Sequence, residues 1–153
     1  MKKYICVLLA LAVLLSLAGC GSAPAAATQD LQAVYDSFSD LLPEMMVLDD
    51  DSRVDFLGIT PEECTQVITA IGAEGMSPEE VWLIQAKDQQ TLEKLEAMAQ
   101  SRIYDKLEEA ENYVPENVPV IQSAVVKTNG LYLVVLVSQN ADGLLEKAAA
   151  VLN

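Results

Sequence analysis

Histidine is absent from all 153 residues. Its absence removes the commonest general acid/base, the commonest zinc ligand and every Ser-His or Cys-His nucleophile arrangement. Basic residues are scarce as well. Lys and Arg together number 9 against 23 Asp and Glu, a formal net charge of −14 at pH 7. Charge-driven binding to nucleic acid or to anionic lipid needs basic patches, so no nucleic-acid partner is expected. Long apolar runs are missing too. The longest lies between Ile5 and Leu15 and stops at Ser16, short of the roughly 20 residues of a bilayer-spanning helix.

That run has an address written around it. Lys2 and Lys3 precede it and small residues follow, the order of a secretory signal. Leu17-Ala18-Gly19-Cys20 then resembles the bacterial lipobox, in which a branched apolar residue and two small ones precede a cysteine. The small residues admit a peptidase to the bond before Cys20, and the thiol is the nucleophile that receives diacylglycerol. A cysteine beside a cleavage site by chance, or a transmembrane anchor, fits the ordered parts less well. Acyl chains contribute ~0.8 kcal/mol per buried methylene, so two chains hold where one would not.

The expected organisation is a signal peptide at 1–19, a lipidated Cys20 with a short tether at 20–29, and one globular domain at 30–153. Cys6 leaves with the leader and Cys20 carries lipid, so Cys64 stands alone without a disulfide partner. No cofactor is expected beyond the covalent diacylglycerol.

Apolar spacing predicts a first helix at about 30–42, ended by Pro43, and a loop from there toward Thr60. Thr60-Pro61-Glu62-Glu63 and Ser77-Pro78-Glu79-Glu80 both carry a helix-start pattern. Val81 to Ala86 favours a strand after a single turn, and 65–73 reads as a strand by analogy or as a short helix ending at Gly72. Asp88 caps a helix to about Tyr113 with a stripe of Leu92, Leu95, Ala99, Ile103, Leu107 and Ala110. Its charged face, Arg102 and Lys106 included, reads as solvated. Asn129-Gly130 predicts a tight hairpin pairing Lys127 with Tyr132 and Val125 with Val134. The strand Leu131–Val137 is apolar on both faces, so both should be covered. A last helix follows at about 141–152. The sum is an α+β fold, a helix followed by two hairpin-plus-helix units (α-ββα-ββα), with a four-stranded, mainly antiparallel sheet.

Several stretches together resemble a known family. They are Leu42-Pro43-Glu44-Met45-Met46 with Asp49-Asp50-Asp51, Val81-Trp82-Leu83-Ile84-Gln85-Ala86-Lys87-Asp88, Tyr113-Val114-Pro115-Glu116, and Ala124 to Tyr132. Over about residues 30–150 the chain resembles the bacterial lipoproteins containing the domain of unknown function 4358. The resemblance implies a lipid-anchored extracytoplasmic domain at the cell membrane. It implies no activity and carries over no catalytic or binding residue.

Candidate chemistry is sparse. Asp49, Asp50, Asp51 and Asp55 are the best cation ligands by type, since hard cations take several carboxylate oxygens. The calcium-loop pattern fails at Arg53, and a solvated acidic loop is the ordinary explanation. Met45-Met46 offers soft sulfur, for which core packing suffices. Cys64, flanked by Glu62 and Glu63, reads as an inert thiol. Trp82 and Tyr132 read as core aromatics before pocket walls, and Lys87 and Lys127 as edge charges. Three function classes remain. One is a non-catalytic interaction or ligand-binding module at the envelope, with an envelope protein or ligand as partner. The others are a cation or envelope-polymer binder on residues 49–55 and a carboxylate-based hydrolase, whose paired geometry a sequence does not display.

Overall fold

A computed structural model describes residues 28–152. The expected signal peptide, with Leu17, Ala18, Gly19 and Cys20, and most of the expected tether lie outside the described residues. The chain forms helix α1 (Leu31–Asp36), strand β1 (Met45–Val47), helix α2 (Asp50–Leu57), strands β2 (Cys64–Gly72) and β3 (Glu80–Ala86), and the long helix α3 (Gln89–Tyr113). Helix α4 (Val118–Gln122), strands β4 (Val125–Asn129) and β5 (Tyr132–Val137) and helix α5 (Ala141–Leu152) complete it. One five-stranded sheet, ordered β1-β2-β3-β5-β4, is antiparallel throughout.

The α+β class and both hairpin-plus-helix units are present, β2-β3-α3 and β4-β5-α5. The two hairpins join through their second strands, β3 against β5. Period-two alternation then sorts the central residues between two faces. Val81, Leu83, Val134 and Leu136 pack with Leu31, Phe38 and Leu144 of α1, its following turn and α5. Trp82, Ile84, Leu133 and Val135 pack with Leu92, Leu95 and Ala99 of α3. The covered, two-faced β5 is as its sequence predicts.

Five strands replace the expected four because Met45–Val47 adds an edge strand to β2, pairing Met46 with Ile71. Three residues are too few to show alternation. The rest of the expected 43–60 loop contains α2, capped by Asp49 on the Ser52 N–H and closed at Gly58. Helix α2 has no apolar stripe: Phe56 and Val54 are exposed whereas Arg53 is buried. Periodicity therefore could not report it. The first helix is shorter than the predicted 30–42. Ser37 donates its hydroxyl to the Val34 carbonyl (2.7 Å), and a 3-10 turn at Ser39–Leu41 follows, swinging Phe38 into the core.

The two helix-start motifs part company. Thr60 and Glu63 form the expected capping box, but it serves only a 3-10 turn at Pro61–Glu63 before β2. Residues 65–73 are thus in strand up to Gly72, and the short-helix alternative is not realised. Ser77 forms no helical turn. Its hydroxyl bonds the Glu79 carboxylate (2.6 Å), and Glu80 opens β3 with its side chain buried.

The hairpin register is two residues from the expected one. Asn129 pairs with Tyr132, Lys127 with Val134 and Val125 with Leu136. Only Gly130 takes a positive φ (54°), so the turn residues are Gly130-Leu131, with glycine first as a type II′ turn requires. A two-residue shift leaves every side chain on its face.

Gly72 is needed for a different reason. A Cβ there would overlap the Cβ and Oγ of Ser77, across the mouth of the β2–β3 hairpin. Gly72→Ala should therefore cost about 1–3 kcal/mol, as overpacking does. Equilibrium denaturation checks it, and an unchanged midpoint would show that the 73–79 loop yields freely.

Candidate functional site

The structure assembles one charged cluster that the sequence does not announce. Glu80 and Trp82 are two apart on β3 and so share the face toward α3. Arg102 and Lys106 are four apart on α3 and share one helical face. Packing α3 across the sheet brings these pairs together. Glu80 Oε1 accepts from Trp82 Nε1 (2.7 Å) and Arg102 Nε (2.5 Å), and Oε2 accepts from Lys106 Nζ (2.9 Å). The Glu80 side chain is 2% exposed, Lys106 18% and Arg102 31%. Burial pushes the Glu80 carboxyl up, but the charges and hydrogen bonds of Lys106 and Arg102 outweigh it, and the pKa lies below its ordinary value. Arg102 and Lys106 thus depart from the solvated face their helix predicts, because a buried carboxylate needs partners.

Beside this cluster opens a cavity of about 500 Å³. The second half of α3, the 75–78 loop, Leu57 of α2, and Val114 and Ile121 wall it, and Trp82 closes its inner side. Two side chains hold the walls. Arg102 Nη1 donates to the Phe56 carbonyl (3.1 Å), tying α3 to α2. Asn117 Nδ2 donates to the Met76 carbonyl (2.8 Å), tying the hairpin loop to the segment after α3. The lining is mixed, apolar at Leu57, Met76, Met98 and Val114 and polar at Ser101, Arg102, Asp105, Lys106, Glu109 and Asn117, and its accessible surface is more polar than apolar. A cleft of this size suits a small molecule. Glu80 serves as the counter-ion that fixes two cations at its floor.

The residues singled out by type are not gathered into this site, Trp82 excepted. Asp49 caps α2, and hydrogen bonds from the Ser52 side chain and N–H hold its carboxyl below the usual range. Asp50 pairs with the buried Arg53, while Asp51 and Asp55 are exposed. The expected acidic loop is therefore largely a helix start. Among the described residues no three acidic or cysteine side chains are grouped to hold a metal. Met45 is half-buried against the core and Met46 is exposed at the sheet edge. Burial first, then Glu63 and Asp50 against a countering Arg53, push the Cys64 thiol up to about 11. Lys87 and Lys127 are exposed. Tyr132 packs against the α1/α5 core, and its hydroxyl accepts from the Gln29 N–H (3.0 Å).

What hid the cluster was its span. Glu80 and Arg102 lie 22 residues apart, and Glu80 stood inside a convincing helix-start pattern. The readable signal was the spacing Glu80-x-Trp82 on a strand, which commits an acid to a buried face. No helix among the described residues is long and apolar enough to cross a membrane. The family model described as a domain of unknown function (DUF4358) matches residues 28–138. No curated protein and no solved structure matches the chain.

Proposed function

Because the chain belongs to the family of the domain of unknown function DUF4358, whose description names no activity, we propose its role from its own residues. The protein is a lipid-anchored extracytoplasmic lipoprotein whose domain binds a small ligand without catalysis, in the cleft beneath α3. The observation that carries the binding half is the cleft: about 500 Å³, lined by apolar and charged side chains beside the ion cluster of the buried Glu80. Small-molecule sites are usually clefts of roughly 300–1,000 Å³. Glu80 has both oxygens occupied by donors, which suits a fixed counter-ion better than a proton carrier. The anchoring half rests on the basic, apolar and small-residue order ending at Cys20. The short tether keeps the cleft near the membrane surface.

Two experiments test it. Cys20→Ser should leave the protein unprocessed or shed from the membrane fraction. Mass spectrometry of an unlipidated mature form in the wild type would overturn the anchor. Binding is read from Trp82, the chain's single tryptophan. Saturable emission changes within a small-molecule library support the cleft, and a flat response throughout overturns it.

A further inference from the structure

The cleft presents more hydrogen-bond donors than the protein satisfies. Arg102 gives Nε to Glu80 and Nη1 to the Phe56 carbonyl, and its Nη2 has no acceptor among the described residues. Lys106 gives one N–H to Glu80 and has no other acceptor there. Both side chains line the cavity, and water reaches them in part, Lys106 being 18% and Arg102 31% exposed. The one carboxylate beneath them cannot satisfy the surplus, because its oxygens already take three donors and have room for about one more. Two cations therefore face the cleft with N–H groups that no protein acceptor takes, and a negatively charged acceptor in place of water is what completes them.

We propose that the cleft takes a small organic acid, its carboxylate held by the remaining N–H groups of Arg102 and Lys106 and its apolar body against Met76, Met98 and Val114, with the Trp82 indole buried beneath. The inference rests on the ligand-binding reading above and adds the sign of the ligand. Charge-assisted bonds from a guanidinium and an ammonium are roughly twice as strong as neutral ones. Asp105 and Glu109 also line the cavity and form no ion pair among the described residues. Both are exposed at the rim, where water and salt screen them. An ammonium ligand would find those carboxylates only at the mouth and would meet two cations at the floor.

The test uses the purified full-length chain and three probes of one shape: 3-phenylpropionate, its neutral amide, and 3-phenylpropylamine. Trp82 emission is titrated with each. The acid should bind at least about ten-fold more tightly than the amide or the amine, the scale of a charge-assisted contact. Arg102→Gln should erase that preference, but it also strips Glu80 of a partner and risks the fold. The exposed rim change Asp105→Asn with Glu109→Gln is the safer variant, and it should tighten the acid and weaken the amine. Equal binding of all three probes, or preference for the amine, overturns the acid and leaves a binding cleft standing. No binding by any probe, together with a flat library response, overturns both.

Discussion

Glu80→Ala is expected to cost the protein about 3 kcal/mol of stability, the lower end of what breaking a buried ion pair costs. The deletion leaves Arg102 and Lys106 facing a hole without their counter-charge, and it leaves the Trp82 indole N–H without its acceptor. Water reaches Arg102 and Lys106 in part, which keeps the loss from the upper end. Glu80→Gln retains an oxygen for Trp82 and should cost less, about 1–2 kcal/mol for weakened hydrogen bonds. Urea denaturation with an unchanged slope measures both. An alanine variant as stable as the wild type would show that the cluster does not hold α3 to the sheet.

Acid should act on the same residue. The folded pKa of Glu80 lies below its ordinary value of 4.5, so as pH falls the unfolded chain takes up the proton first. The stabilisation is fully present above pH 4.5 and is lost as pH drops through the folded pKa. Glu63 has its pKa lowered too, against its own burial, by the Lys94 hydrogen bond and by Thr60. The diagnostic is thus a difference: the acid limb of the wild type should be steeper than that of Glu80→Gln. Parallel limbs would assign the acid sensitivity to other carboxylates.

Leu133→Ala and Leu136→Ala should each cost about 3 kcal/mol, the usual range for a buried leucine being roughly 2–5. Both are fully buried, yet they point to opposite faces of β5. Leu133 packs in the cluster under α3, and Leu136 in the cluster with α1 and α5. Because they belong to separate clusters, the double variant should lose the sum to within about 0.5 kcal/mol. Lys127→Ala and Thr128→Ala, exposed on edge strand β4, should stay within about 0.5 kcal/mol of the wild type. A large loss at only one leucine would mean that one sheet face is loosely covered.

Local order in the chain made much of this architecture readable. Helix α3 carries an apolar stripe over many turns behind a capping Asp88, and β5 is apolar at every position, so both could be placed from neighbours in sequence. Elements whose stability comes from elsewhere could not. Strand β1 exists because β2 offers it an edge, and α2 buries an arginine where a stripe would be expected. The β4–β5 hairpin register followed the one residue of that turn with a positive φ, Gly130, which the Asn129-Gly130 pair did not single out.

The sequence alone determined the class of fold, the two hairpin-plus-helix units and the missing histidine chemistry, and it alone carries Leu17-Ala18-Gly19-Cys20, on which the proposed lipid anchor rests. Those are properties of spacing and composition, and they need no distant contact. Only the tertiary structure decided that Glu80, Trp82, Arg102 and Lys106 form one cluster and that a cavity opens beside it. The physical reason is that a charge's partners are set by where α3 crosses the sheet. Packing of apolar side chains fixes that crossing, and nothing in the local pattern around Glu80 encodes it.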